Sequence, residues 1–360
     1  MNVVNHQVLI VAPELHRPGG VSNYINVLHQ YIKTADVFEV SLRNEGEKNF
    51  YFIIRLTKDV FKLALLLVRT EYQILHLNPS LRPMELIRSS LLFIVGMLFR
   101  KKILLFFHGW DYGVEKQLFK YFKYIFYVIC NHSSRICVLG TEFRQRLIDI
   151  GCKESKIDVE TTLVEDVVFM QKPLPRFNKV SKRILFLSRI EKDKGIYICL
   201  DTFLKLCENH DDISLCIAGD GSELLNAQRY TLEQSIGNVE FLGWVEPDNR
   251  YKIFADSDVY FLPSYGEGMP CSILEAMACG LPVITRNVGG IKDFFNDKMG
   301  FVTESTDPVI FAQAIEGILY NRNTSKAMGL YNNEYAKKHF MASVVASRIE
   351  KKYEEILSSE

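Results

Sequence analysis

The sequence has no excess charge of either sign: Lys+Arg and Asp+Glu both number 43. That balance excludes a partner recruited by bulk charge, nucleic acid above all, so any basic surface has to be local. Long hydrophobic runs are also missing. The longest, Leu91–Phe99 (LLFIVGMLF), sits between Arg88 and Arg100-Lys101-Lys102 and falls well short of the roughly 20 apolar residues that a helix crossing a bilayer needs. The eight cysteines show neither C-x-x-C nor a ligand-like His/Cys spacing. Cys130, Cys137, Cys199 and Cys216 lie inside apolar runs, as buried free thiols of a reducing compartment do, so the expected location is the cytoplasm. The start, MNVVNHQVLIVAPEL, has no basic leader or small-residue cleavage site, and Val8–Ala12 reads as a first buried strand.

What is present is the balance of a core-forming protein, 48% apolar and 24% charged over 360 residues, a length at which two domains are expected. Short apolar runs alternate with longer helical patterns, as in a parallel sheet covered by helices. Strands are expected at Val8–Ala12, Ile74–Leu77, Ile103–Phe107 and Ile136–Leu139, with helices at Val21–Lys33, Asp59–Arg69, Glu85–Phe99, Gln117–Asn131 and Thr141–Ile150. Gln171–Lys182 (QKPLPRFNKVSK), with two prolines and four basic residues, reads as a linker. The alternation then restarts, with strands at Ile184–Ser188, Leu215–Ala218, Val239–Leu242, Val259–Leu262 and Pro282–Thr285. Helices are expected at Tyr197–Cys207, Leu224–Ser235, Asn249–Ala255, Cys271–Cys279 and Pro308–Tyr320. The reading is α/β, two Rossmann-like domains: residues 1–175, residues 176–341, and an amphipathic helix in 342–360 that reaches back to the first domain. A cleft between two such domains is the default ligand site.

The most informative stretch is FLPSYGEGMPCSILEAMACGLPVIT, Phe261–Thr285, read as strand, loop, helix, strand. Pro270 and Gly280 are placed as start and stop signals of the helix. Amides near Cys271 and Ser272 would then be donors at a positive dipole end, suited to a diphosphate. Glu267 in the loop and Glu275 in the early helix lie about two turns apart. Carboxylates beside a phosphate site are unfavourable unless they bind hydroxyls, which points to sugar and ribose. Two carboxylates alone would more often be a solvated surface loop; it is the flanking GEGMP and EAMACGLPVI that argue otherwise.

This stretch, with FLGWV (Phe241–Val245) and ADSDVYFLPS before it and NVGGIKD after it, resembles the two-glutamate signature of retaining glycosyltransferases of the GT-B fold, notably glycosyltransferase family four (glycosyl transferases group 1). The resemblance implies two Rossmann-like domains facing each other across a central cleft. It also implies a nucleoside-diphosphate sugar as donor, no metal and no other cofactor. By similarity Glu267 contacts donor-sugar hydroxyls and Glu275 the ribose. The backbone of Gly268, Met269, Pro270, Cys271 and Ser272 would meet sugar and diphosphate, and Val245 would border the base.

Three further motifs gain meaning from it. In LSRIEKDKG (Leu187–Gly195), a charged turn taken alone, Arg189 and Lys194 would stabilise the departing diphosphate; Ser188 stands where the family has glycine. In PGGVSNYINVLHQYI (Pro18–Ile32), Gly19 and Gly20 allow close approach to the donor. In FFHGWD (Phe106–Asp111), His108 matches the family's first-domain histidine at the reaction centre, and Asp111 is a weaker candidate for an acceptor contact or a helix cap. His76, Asn78 and Arg82 follow a strand and are weaker acceptor candidates. Asp256-Ser257-Asp258 has the D-x-D form of a metal motif but falls at a helix–strand junction, where aspartates cap and turn. Gly219-Asp220-Gly221 lacks the third glycine of a dinucleotide fingerprint. Further departures are TTLVEDVVF (Thr161–Phe169), where the family's first domain ends differently, and Asp293, where glutamate is common.

Glu115–Val128 (EKQLFKYFKYIFYV) interleaves lysines with aromatics. With Leu91–Lys102 it forms either a basic, aromatic patch for an anionic membrane surface or two core helices with snorkelling lysines. In the first case the acceptor would be a lipid-linked glycan of a surface polysaccharide such as O-antigen, capsule or lipopolysaccharide. Two rivals share the architecture: a nucleotide-sugar epimerase or hydrolase, and a non-catalytic carbohydrate-binding subunit.

Overall fold

The computed structural model describes residues 7–17, 19–41, 49–110, 113–115, 123–170 and 182–358. Two compact units result, residues 1–163 with 342–360, and residues 164–341. The division falls at Leu163, ahead of the expected 175. Val164 is tied to the second unit by a bridge to Met341 and by its amide, which donates to Phe340 O at 2.7 Å. The linker expected at 171–182 lies outside the described residues except for Lys182, which opens a strand.

The first unit is a six-stranded parallel sheet in the order β2-β1-β3-β4-β5-β6. Its strands are β1 (Val8–Pro13), β2 (Ala35–Val40), β3 (Ile74–Leu77), β4 (Lys102–Phe107), β5 (Arg135–Val138) and β6 (Ile157–Val159). The helices are α1 (Gly20–Tyr31), α2 (Asn49–Arg69), α3 (Pro83–Leu98), α4 (Lys123–His132) and α5 (Thr141–Asp149). Right-handed crossovers put α2 to α5 on one face of this sheet and α1 on the other. The four central strands are fully covered, so their sequences are continuous apolar runs and were legible as such. Strands β2 and β6 are the sheet edges, half-buried and with mixed sequences, and were not expected. Helix α2 starts ten residues before the expected Asp59, and of the helix expected over Gln117–Asn131 only the part from Lys123 lies within the described residues.

The second unit opens with α6 (Asp166–Met170). Its strands are β7 (Lys182–Leu187), β8 (Ile213–Ala218), β9 (Val239–Gly243), β10 (Val259–Leu262), β11 (Val283–Arg286) and β12 (Gly300–Thr303), in the order β12-β11-β10-β7-β8-β9. This is the Rossmann order, with its switch point between β7 and β10, whose C-terminal ends are where such sheets bind ligands. The covering helices are α7 (Ile196–Cys207), α8 (Leu224–Glu233), α9 (Pro247–Ala255), α10 (Cys271–Ala278), α11 (Pro308–Leu319) and α12 (Arg322–His339). The last helix, α13 (Ala342–Ser358), belongs to the first unit. There it packs on α1. Lys352 reaches Asp158 at 3.3 Å and Glu160 at 3.1 Å, and Arg348 reaches Glu160 at 3.1 Å. Lys102 Nζ donates to the Ile356 and Leu357 carbonyls at the helix C-terminus, a cation at the negative dipole end.

Candidate functional site

The two motifs of the second unit meet at its switch point. LSRIEKDKG leaves β7 and PSYGEGMPC leaves β10, strands that are neighbours in the sheet. Gly195 holds the first loop against the second: its φ is +76°, and a Cβ there would stand 2.3 Å from Pro263 O. The Tyr265 amide donates to Asp193 O at 2.8 Å. Lys194 Nζ thereby lies 2.8 Å from Glu267 Oε1, with both side chains largely buried. Ser264 Oγ donates to the same carboxylate oxygen at 2.7 Å.

The loop carrying Glu267 is clamped from the other side. The Gly290 amide donates to Gly268 O at 2.7 Å, and a Cβ on Gly289 (φ +55°) would meet Glu267 O at 2.0 Å. Met269 and Pro270 are buried, and Pro270 caps α10 with no side-chain hydrogen bond. Cys271 and Ser272 form the first turn, whose amides lie ahead of any i−4 carbonyl of the helix. Ser272 Oγ is hydrogen-bonded to the Tyr260 hydroxyl at 2.7 Å, while that hydroxyl donates to Leu187 O at 2.8 Å. This ties the start of α10 to the end of β7.

Glu275, one turn into α10, faces Arg250 Nη1 at 3.5 Å. Burial raises its carboxyl pKa to about 7, and the guanidinium opposes that rise. Arg250 also lies over the exposed Trp244 ring, 5.8 Å from its centroid, beside the half-buried Val245. Arg189 is exposed at the end of β7, its guanidinium without an ion pair or hydrogen bond among the described residues. The Gly219-Asp220-Gly221 turn packs on the same loop: a Cβ on Gly219 would meet Ser188 O at 1.9 Å, and one on Gly221 would meet Ile190 O at 2.4 Å.

Sequence reasoning missed Arg250, Ser264, Tyr260 and Trp244. Only the last two carried any signal, as the aromatics of DVYFLPS and FLGWV. Asp258 accepts from the Arg183 amide at 2.8 Å and Asp256 ends α9, so both aspartates of the D-x-D stretch have structural work.

The first unit gathers a different set. His108, just past β4, stacks on Phe106 with centroids 4.1 Å apart and meets the edge of Tyr24 at 4.7 Å. Its Nε2 lies 2.7 Å from Asn78 Oδ1, and Asn78 Nδ2 donates to Val11 O at 2.9 Å. Burial, and secondarily His76, lower its pKa to about 3. His76 is buried as well, with Nδ1 2.6 Å from the Tyr353 hydroxyl of α13. Gly19 caps α1 and Gly20 opens it, both exposed. Neither lies in the left-handed region, and a Cβ on Gly20 would meet nothing within 4 Å, so packing does not demand glycine at that position. Pro18 and Asp111 lie outside the described residues.

Residues 171–337 match the family model for glycosyl transferases group 1. They form a glycosyl transferases group 1 domain. The matched span contains every residue of the second-unit site described above. Over 229 residues the chain is 29% identical to the phosphatidyl-myo-inositol mannosyltransferase of Mycobacterium leprae, a match covering 62% of this chain and 60% of that one. A glycosyltransferase of Methanocaldococcus jannaschii is 23% identical over 360 residues, covering 96% of this chain and 98% of its own. The fold is that of the Anabaena protein HepE, solved in complex with UDP and glucose, with TM-score 0.75, 15% identity, and 97% and 99% of the two chains covered.

Proposed function

We propose that the protein is a retaining, metal-independent glycosyltransferase that moves a sugar from a UDP- or GDP-sugar to an acceptor hydroxyl, at the cytoplasmic side of surface-polysaccharide synthesis. The observation that carries the reading is the joined Lys194, Glu267 and Ser264 cluster beside the start of α10, at the switch point of a Rossmann sheet. A diphosphate set against the first-turn amides of α10 would meet Lys194 and the exposed Arg189. Glu267 would then accept from sugar hydroxyls and Glu275 from the ribose, with Trp244 and Val245 flanking the base.

In the reaction the acceptor oxygen bonds to the anomeric carbon on the face from which the diphosphate departs. The bond from that carbon to the diphosphate oxygen breaks, and the acceptor proton passes to the leaving oxygen. Lys194 and Arg189 act on charge that grows as the bond breaks, so they favour the transition state over the bound donor. By the family resemblance, His108 would serve the reaction as a neutral hydrogen-bonding group. The UDP bound to HepE and the phosphatidyl-myo-inositol in the name of the mycobacterial relative support a nucleotide-sugar donor and a lipid-borne acceptor. The acceptor proposed here is a lipid-linked glycan.

The test is a panel of UDP- and GDP-sugars screened by thermal stabilisation, since a bound donor protects the fold by mass action, followed by product analysis with the donor that stabilises. Transfer with retained anomeric configuration and full activity in EDTA is expected. Release or isomerisation of the sugar without acceptor would replace this reading with the epimerase or hydrolase.

A further inference from the structure

Three consecutive helices of the first unit carry most of the exposed large apolar side chains of the described residues. On α2 they recur at helical spacing: Ile54, Phe61, Leu65 and Val68, with Phe61 69% and Val68 67% exposed. On α3 they are Ile87, Leu91, Ile94 and Leu98, the last 75% exposed; on α4, Tyr124 is 77% exposed and Ile125 45%. α3 packs against both α2 and α4, and all three lie on one face of the sheet, so the stripes adjoin. Between α3 and α4 runs an open apolar groove of about 730 Å³. Apolar surface on this scale in a soluble domain marks a contact with something else.

The charges on the same helices say what that is. Lys58, Lys62 and Arg69 on α2 and Lys123 on α4 are exposed, each next in sequence to the apolar stripe or within it, and Arg100 follows α3. The two carboxylates of these helices are turned to other uses: Asp59 is buried and accepts from the Ser41 amide at 2.9 Å, and Glu85 pairs with Arg88. No exposed carboxylate remains on α2, α3 or the described α4, although the chain as a whole is neutral. Among the described residues, the exposed Glu71 lies beyond the end of α2. Apolar rows edged by cations whose long stems can snorkel are the pattern of a surface lying in the headgroup layer of an anionic bilayer. Among the described residues no helix is long and apolar enough to cross a membrane. A second copy would set one basic collar against another.

We propose that the outer face of α2, α3 and α4 docks the protein on an anionic membrane surface, independently of whether the chain transfers sugar. The sequence pointed only to the Leu91–Lys102 and Glu115–Val128 segments. Within these, Lys102 is spent on the α13 carbonyls and Glu115 pairs with Arg146 at 2.9 Å, while α2, outside both segments, adds an apolar row of its own.

The test is flotation of the full chain with POPC vesicles and with POPC vesicles containing roughly a third POPG. Recovery with the POPG vesicles is expected, with little on POPC alone and a loss at high salt. Phe61→Ser combined with Leu98→Ser should lower binding at least about tenfold at an unchanged melting temperature, because both side chains are already in water. Lys58→Glu with Lys62→Glu should do the same without touching the apolar row. No flotation with POPG, flotation unchanged in both double variants, or a dimer that the Ser variant splits into monomers would each overturn the proposal; the last would make this face a contact between copies.

Discussion

The Lys194 ammonium and the Glu267 carboxylate neutralise each other 2.8 Å apart, with Ser264 completing the same oxygen's hydrogen bonds. Under the proposed function a donor diphosphate competes for the lysine and donor hydroxyls compete for the glutamate, so the pair is a closed form of the site. Lys194→Ala is expected to lower kcat/KM by about 100- to 1000-fold, the usual loss for one fixed group on a developing anion. It should also abolish thermal stabilisation by donor while the fold persists. The unpaired, largely buried Glu267 should lower stability by about 1–3 kcal/mol, measured by urea titration, and Lys194→Ala with Glu267→Gln should regain part of that. Full transfer activity in Lys194→Ala would remove this lysine from the site.

Glu275 makes stability depend on pH in a defined direction. Burial raises its pKa from 4.5 to about 7 in the folded state, so between those values the folded chain binds more protons than the unfolded one. Stability from this group is therefore complete below about pH 4.5 and is lost as pH rises to about 7, by at most about 3 kcal/mol. Glu275→Gln should flatten that part of the profile in urea melts of the free protein. The same substitution should weaken donor stabilisation most above pH 7, where the ionised carboxylate would accept ribose hydroxyls. An unchanged profile in Glu275→Gln would mean that Glu275 is solvated.

Gly289 is the residue on which the Glu267 loop rests. Its positive φ and the 2.0 Å approach a Cβ would make to Glu267 O leave no room for a side chain, and the obstacle is backbone. Gly289→Ala should cost about 2–4 kcal/mol from overpacking and left-handed strain together, read as a lower melting temperature. Donor stabilisation should fall as the Glu267 loop is displaced. Gly20→Ala, with open space around it, should leave the melting temperature unchanged and act on transfer alone.

These glycines show what the sequence could and could not convey. Val259–Leu262 was read to the residue because β10 is covered on both faces and so had to be uniformly apolar. β2, β6 and β12 are edge strands, free to carry polar residues, and left no run to find. α12 escaped for the opposite reason. Its buried stripe is Ser325, Gly329, Asn332 and Ala336, small or polar rather than hydrophobic. Gly329 lies against the Gly280 carbonyl, and the Asn332 amide donates to Leu281 O at 2.7 Å and Met299 O at 2.8 Å. The candidate site was legible where a motif supplied it, as with Glu267, Glu275, Arg189 and Lys194. The partners that fix those side chains were not, since Arg250 and Ser264 are ordinary residues until the fold brings them near.

His108 offers a last test, because its neighbours dictate its protonation. Asn78 spends its NH₂ on Val11 O, so the oxygen it turns to His108 can only accept, and Nε2 must carry the hydrogen. Nδ1 then holds the free lone pair. With a pKa lowered from 6.5 to about 3 by burial, the ring stays neutral throughout the working range and cannot serve as a general acid. The sign for stability follows: below about pH 6.5 the unfolded chain takes up a proton that the folded one refuses, so stability falls as pH falls, and His76, equally lowered, adds to this. The His108 ring-proton shift should therefore be flat between about pH 5 and pH 8 in NMR spectra. Asn78→Asp should bring a titration into that range, because a carboxylate at Nε2 favours the imidazolium. Wild-type His108 titrating near 6.5 would show that the ring is solvated and able to exchange a proton in the working range.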